Sequence, residues 1–144
     1  SGAMLNSLKR IAEPNVEFLG HINDDQYRTV LASARALIFP GVEDFGIVPV
    51  EAQAAGTPVI ALGQGGALET VKGFDENDIP QEDENYTGIF FQQATVPDLI
   101  AAIQQFKKYE NVFTLQNCQI NARRFSKDQF KTGFMQLVDR VISK

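Results

Sequence analysis

Two carboxylates flank a glycine-bearing loop in the one stretch of this sequence whose residue types and spacing could do chemistry. Glu43 and Glu51 form a Glu-x7-Glu pair within Phe39-Pro40-Gly41-Val42-Glu43-Asp44-Phe45-Gly46-Ile47-Val48-Pro49-Val50-Glu51-Ala52. The stretch reads as a buried strand ending at Pro40, a loop, and a helix entered at Pro49 that runs to about Ala55. Proline suits a first helical position because its missing N–H would have no partner there, and Gly56 suits the end of the helix. The N–H groups of Gly46, Ile47 and Val48 then point forward unpaired with the positive end of the helix dipole behind them, a ready seat for phosphate. A carboxylate beside such a seat repels phosphate but accepts hydrogen bonds from sugar or ribose hydroxyls. The pattern suggests a sugar carrying phosphate. Without a ligand, Glu43 and Glu51 could simply complement the helix dipole, which is worth about 0.3–1 kcal/mol each.

The elements that must position this stretch alternate between strand and helix, which predicts a parallel α/β sheet. Leu5, Leu8, Ile11 and Ala12 have helical spacing, and Pro14-Asn15 stops that segment before an expected strand, Val16 to Leu19. After Gly20-His21-Ile22-Asn23, the pair Asn23 and Gln26 has the capping-box pattern, with Tyr27, Val30, Leu31 and Ala34 as the buried stripe of the helix that follows. Strand Ala36 to Phe39 then leads into the Glu-x7-Glu stretch.

Downstream, Pro58 to Leu62 is apolar throughout, as a strand buried on both faces should be. Gly63-Gln64-Gly65-Gly66 and a short helix over Ala67 to Val71 follow it. This puts glycine-rich backbone at the C-terminal edge of the sheet, where open α/β folds bind ligands, although a tight turn alone would also need glycine. Phe74 to Asn85 carries Asp75, Glu76, Asp78, Glu82, Asp83 and Glu84 without a basic residue, in no calcium-loop spacing, and is expected to be a solvated, mobile loop. Strand Gly88 to Phe91 precedes a helix from Pro97 with Leu99, Ile100, Ile103 and Phe106 inward. Next come a break near Glu110-Asn111 and a helix carrying Leu115, Cys118, Ile120 and Ala122. A last helix follows a Ser126/Gln129 capping box, with an apolar stripe of Phe130, Phe134, Leu137, Val138, Val141 and Ile142.

With 144 residues, 44% of them hydrophobic, the chain is sized for one domain. Its net charge of −5, with no basic cluster beyond Lys107-Lys108 and Arg123-Arg124, argues against general nucleic-acid binding. Cys118 is the only cysteine, so no intrachain disulfide or cysteine zinc cluster can form, and a packed, unreactive thiol is expected there. No apolar run approaches the roughly 20 residues of a bilayer span, and no signal-like segment opens the chain. Cytoplasmic residence is the default expectation. Ser1-Gly2-Ala3 reads as a cloning remnant ahead of a domain over residues 4–144.

The chain resembles the donor-binding, C-terminal half of retaining glycosyltransferases of family 4 (group 1), of GT-B fold, and in particular bacterial polysaccharide mannosyltransferases. The resemblance rests on blocks in the family's order. Asn15-Val16-Glu17-Phe18-Leu19-Gly20 with Asp24-Asp25 comes first, then Glu-x7-Glu, then Gly56-Thr57-Pro58-Val59-Ile60-Ala61. Gly65-Gly66 with Glu69-Thr70, Tyr86-Thr87-Gly88-Ile89-Phe90-Phe91 and Ala122-Arg123-Arg124-Phe125-Ser126 complete the series. The resemblance implies a Rossmann-like parallel sheet flanked by helices with a helical C-terminal tail. It also implies that two strands and a helix preceding the first block, with the Arg and Lys that neutralise the leaving diphosphate, have no equivalent in this chain. In the doubly wound order those strands lie between the Phe18 and Phe39 strands, which must then either pair directly or leave an edge exposed.

The family's chemistry is transfer of a sugar from a nucleotide diphosphate sugar with retained configuration, without metal or cofactor. By resemblance, Glu43 is the catalytic residue and holds a donor-sugar hydroxyl, Phe45, Gly46, Ile47 and Val48 contact sugar and phosphate, and Glu51 binds the ribose diol. Gly65 and Gly66 fall on the donor side of the cleft. His21 faces the nucleotide if its loop follows the family, and is otherwise a solvent-facing or structurally bonded histidine. The expected donor is GDP-mannose, with a UDP-sugar as alternative, and the acceptor is a glycan or lipid-linked glycan held by an N-terminal domain that this chain lacks. The whole protein would act in the cytoplasm or at the inner face of the membrane. The other reading is a non-catalytic nucleotide-sugar-binding or interaction module. Self-association through the sheet edge or the C-terminal helices is a further expectation.

Overall fold

The computed structural model describes residues 2–81 and 84–142; Ser1, Glu82, Asp83, Ser143 and Lys144, which belong to the expected remnant, the acidic loop and the end of the domain, lie outside the described residues. Four strands, β1 (Leu37–Phe39), β2 (Val59–Leu62), β3 (Gly73–Asp75) and β4 (Gly88–Phe91), form one parallel sheet in the order β1-β2-β4-β3. The register pairs Leu37 with Val59, and Val59 and Gly73 with Gly88. Helices α1 (Leu5–Ile11) and α2 (Asp24–Ser33) precede the strands, α3 (Ile47–Ala54) and α4 (Ala67–Thr70) alternate with them, and α5 (Val96–Lys108), α6 (Leu115–Arg123) and α7 (Lys127–Ile142) follow.

Side chains alternate across each strand, so a strand in the middle of a parallel sheet must be apolar at every position. The two inner strands meet this requirement, being buried throughout. Ile60, Leu62, Ile89 and Phe91 face one way, into a core with Phe74, Ala102, Phe106 and Phe113. Val59, Ala61 and Phe90 face the other way and meet Leu31, Ala52, Ala67 and Val71. The resulting sandwich of helices and parallel sheet is the expected class.

Several expectations give way. Val16 to Leu19 does not form a strand, and Val16 and Leu19 are exposed. A strand exists through its ladder, and the described residues hold no strand between this segment and β1 to pair with it. It does not pair with β1 either, so β1 keeps an open outer edge with Ile38 exposed. The acidic stretch is not loop throughout: Phe74 and Asp75 belong to β3, and Phe74 stacks on Phe113 at 5.7 Å between ring centroids. The surrounding acids hid a three-residue strand whose single aromatic anchors it. Ile100, expected inward, and Val30, expected in a buried stripe, are exposed, as are Leu115 and Ile120 in the apolar pattern of α6, because the buried faces of α2, α5 and α6 are narrower than their apolar stripes. α7 buries none of its residues.

Both capping predictions can be checked atom by atom. Asn23 Oδ1 accepts from the Gln26 N–H and the Asn23 N–H donates to Gln26 Oε1, a complete capping box. At Ser126 only one half forms, the Gln129 N–H donating to Ser126 Oγ. No helix among the described residues is long and apolar enough to cross a membrane.

Candidate functional site at the C-terminal edge of the sheet

The loop after β1 and the loop after β2 meet at the C-terminal edge of the sheet. Gly66 N–H donates to the Glu43 carbonyl at 2.7 Å. A Cβ on Gly66 would lie inside the Phe45 backbone, and one on Gly65 would come 2.6 Å from the Glu43 carbonyl oxygen. The two glycines are therefore needed for close approach: they let one loop brace the backbone that carries Glu43. The Glu43 side chain itself is exposed.

Gly46 ends this loop with φ 81° and ψ 61°, a left-handed conformation that glycine adopts without steric cost. α3 begins at Ile47, two residues before the expected entry at Pro49, which sits instead within the first turn. Proline is tolerated there because the first four N–H groups of a helix have no intrahelical partner. Among the described residues no side chain caps this end, and the N–H groups of Gly46, Ile47 and Val48 donate to no loop or turn carbonyl. The leading N–H groups of α3 are thus left without a side-chain cap among the described residues.

Glu51 lies on the next turn of α3, exposed, and its Oε2 accepts a 2.8 Å hydrogen bond from the Tyr27 hydroxyl on α2. Burial, then the hydrogen bond to Glu51, then the carboxylate charge push the Tyr27 phenol up to about 12. The two residues line a cavity of about 550 Å³ between α2 and α3, with Asp24, Arg28, Leu31 and Ala54 also on its walls. His21 is exposed and does not reach Glu51; it lines an adjoining hollow with Ile22 and Asn23, and Asp24 and Arg28 are common to both. The edge thus offers, in sequence, a braced Glu43 loop, a bare helix N-terminus, a tethered Glu51 and a groove leading to His21.

Behind α3 a buried polar network fixes its orientation. α4 is a single turn whose final carbonyl, at Thr70, has no helical partner; it accepts from both Gln53 Nε2 (3.0 Å) and Asn121 Nδ2 (2.8 Å). Thr70 Oγ1 in turn donates to the Gly66 carbonyl at 2.9 Å. On the site side, Phe125 meets Phe45 edge to face at 5.6 Å. Sequence reasoning missed Gln53, Asn121 and the role of Tyr27. The one available signal for Tyr27 was a hydroxyl in an otherwise aliphatic stripe, since a phenol at a packed position usually finds a partner.

A parallel α/β sheet whose C-terminal edge carries two glycine loops and a helix N-terminus defines a Rossmann-like fold. Residues 4–125 match the family described as Glycosyl transferases group 1, and the chain belongs to that family. The chain is 31% identical over 137 residues to Alpha-1,3/1,6-mannosyltransferase ALG2 of Saccharomyces cerevisiae, covering 88% of this chain and 25% of that protein. It is 42% identical over 82 residues to a GDP-mannose-dependent monoacylated alpha-(1-6)-phosphatidylinositol monomannoside mannosyltransferase of Corynebacterium glutamicum, covering 49% of this chain and 22% of that protein. Among solved structures, sucrose-phosphate synthase from Thermosynechococcus elongatus superposes with a TM-score of 0.67 at 28% identity, over 88% of this chain and 30% of that one. The chain spans about a quarter of the length of the ALG2 relatives it matches.

Proposed function

We propose that this chain is the donor-binding part of a glycosyltransferase and holds a nucleotide diphosphate sugar, GDP-mannose, for transfer of mannose to a glycan or lipid-linked acceptor with retained configuration. The observation that carries the reading is the uncapped N-terminus of α3, set between an exposed Glu43 on a braced loop and a tethered Glu51. Mannosyltransferase relatives support the choice of sugar and the corynebacterial relative the choice of base.

Each part has a task set by its chemistry. The N–H groups of Gly46, Ile47 and Val48 present fixed partial positive charge to the diphosphate, the group on which negative charge grows as the sugar departs. Because these donors are held in place before the reaction, they need not reorganise as the charge develops. Glu43, an acceptor-only carboxylate on a braced loop, orients a donor-sugar hydroxyl, and Glu51 accepts from the ribose diol. The nucleoside then runs along the groove past Tyr27 towards His21.

The test is an NMR titration of the chain with GDP, GDP-mannose and UDP, with Glu51→Ala as control. Amide shifts centred on residues 46–51, preference for GDP, and weakening in the variant are the expected results. Absence of any shift at millimolar nucleotide would sink the claim that the chain binds donor by itself.

A further inference from the structure

We propose that Tyr27 is a positioning residue: its hydroxyl fixes the Glu51 carboxylate in the orientation that a ribose diol requires. The inference rests on the donor reading above, but its structural half stands on geometry alone. Glu51 is exposed on the first turns of α3, and among the described residues its side chain makes one hydrogen bond, the 2.8 Å contact from Tyr27. A free glutamate on a helix surface samples many rotamers, and a ligand that needs one of them must bear the entropy of choosing it. Tyr27 removes that choice in advance.

The tyrosine is suited to the task because it is itself held. It is half-buried and packs against the core that contains Leu31 and Ala52. α2 is pinned to the sheet by the Thr57 hydroxyl, which donates to the Leu31 carbonyl at 2.5 Å. The hydroxyl occupies one acceptor site on Oε2 and leaves Oε1 and the remaining lone pairs for ligand hydroxyls, since an ionised carboxylate offers about four such sites. A neutral phenol also orients the carboxylate without cancelling its charge, as a lysine or arginine would. A phenol, already protonated in the neutral range at its ordinary value of 10.0, is the more so here.

The experiment compares wild type with Tyr27→Phe, which keeps the ring and its packing, using GDP and 2′,3′-dideoxy-GDP as probes. The expected result is that GDP weakens by about three- to tenfold in the variant while dideoxy-GDP binds both proteins alike, so the preference for the diol shrinks. An unchanged preference overturns the proposal. A second measurement needs no ligand: side-chain three-bond couplings of Glu51 should report one rotamer in wild type and averaging in Tyr27→Phe. Averaging already present in wild type also overturns it. If wild type binds no GDP at all, the donor reading fails, and the couplings alone decide whether Tyr27 positions Glu51.

Discussion

Asn121 Nδ2 donates to Gln53 Oε1 at 2.6 Å, joining α6 to α3, the helix that carries Glu51. Asn121 is 2% exposed and Gln53 fully buried, so neither amide can turn to water for a substitute. The same Asn121 amide serves the Thr70 carbonyl, while its Oδ1 accepts from the Arg124 guanidinium at 2.7 Å.

Asn121→Ala should therefore destabilise the chain by about 2–3 kcal/mol, the usual cost of leaving buried polar groups unpaired. Asn121→Asp should be worse despite its shape, because it sets acceptor against acceptor at Gln53 Oε1 and the Thr70 carbonyl. Denaturant midpoints at constant slope test both. A loss below about 0.5 kcal/mol for Ala would mean that the network does not hold α3 in place.

The Gly66 prediction concerns the brace under Glu43. Gly66→Ala drives a Cβ into the Phe45 backbone and endangers the 2.7 Å bond to the Glu43 carbonyl. Overpacking of this kind costs about 1–3 kcal/mol. Gly41→Ala, whose Cβ would meet only the Phe39 ring at 4.0 Å, should change stability by less than about 0.5 kcal/mol. Thermal melts of the pair separate a steric requirement from a general preference for glycine in this loop, and equal losses would remove the brace as explanation.

Much of this was legible in the sequence, for physical reasons that differ by element. β2 and β4 announce themselves because burial on both faces demands unbroken apolar runs. The loop and helix around the two glutamates could be read from Gly46 and Gly56 because backbone conformation and helix ends constrain residue type locally, although Pro49 marked the helix start two residues late. The Val16 to Leu19 segment misled because strand propensity is local while a ladder needs a neighbour. β3 was hidden because a short edge strand needs only one anchoring aromatic, Phe74, among acids. The Asn121 to Gln53 bond joins residues far apart in the chain, and no spacing rule encodes such a pair. Tyr27 to Glu51 is illegible for the same reason.

The Tyr27 phenol offers a pH test. Its folded-state pKa, about 12, lies above the usual value of 10.0, so between these values the folded chain keeps a proton that the unfolded chain has lost. The associated stabilisation is complete below pH 10 and is lost as the pH rises towards 12. Glu51→Gln should lower the Tyr27 pKa by removing the charge-assisted bond, while leaving the part due to burial. Titration of the 13Cζ resonance of Tyr27 in both proteins measures this, and an unchanged midpoint in Glu51→Gln would argue that burial alone sets it.

Cys118 tests the packing of α6 against α3. The side chain is fully buried, and burial pushes its thiol up to about 11. Since the thiolate is the reactive form, both its small fraction at neutral pH and its lack of access suppress alkylation. Iodoacetamide should modify native Cys118 at least about a hundredfold more slowly than the unfolded chain, through openings whose population follows local stability. Asn121→Ala, one turn along α6, should accelerate that modification if it loosens the helix. Fast labelling of wild type at pH 7 would show that α6 is not seated on α3, and the polar network behind α3 would fall with it.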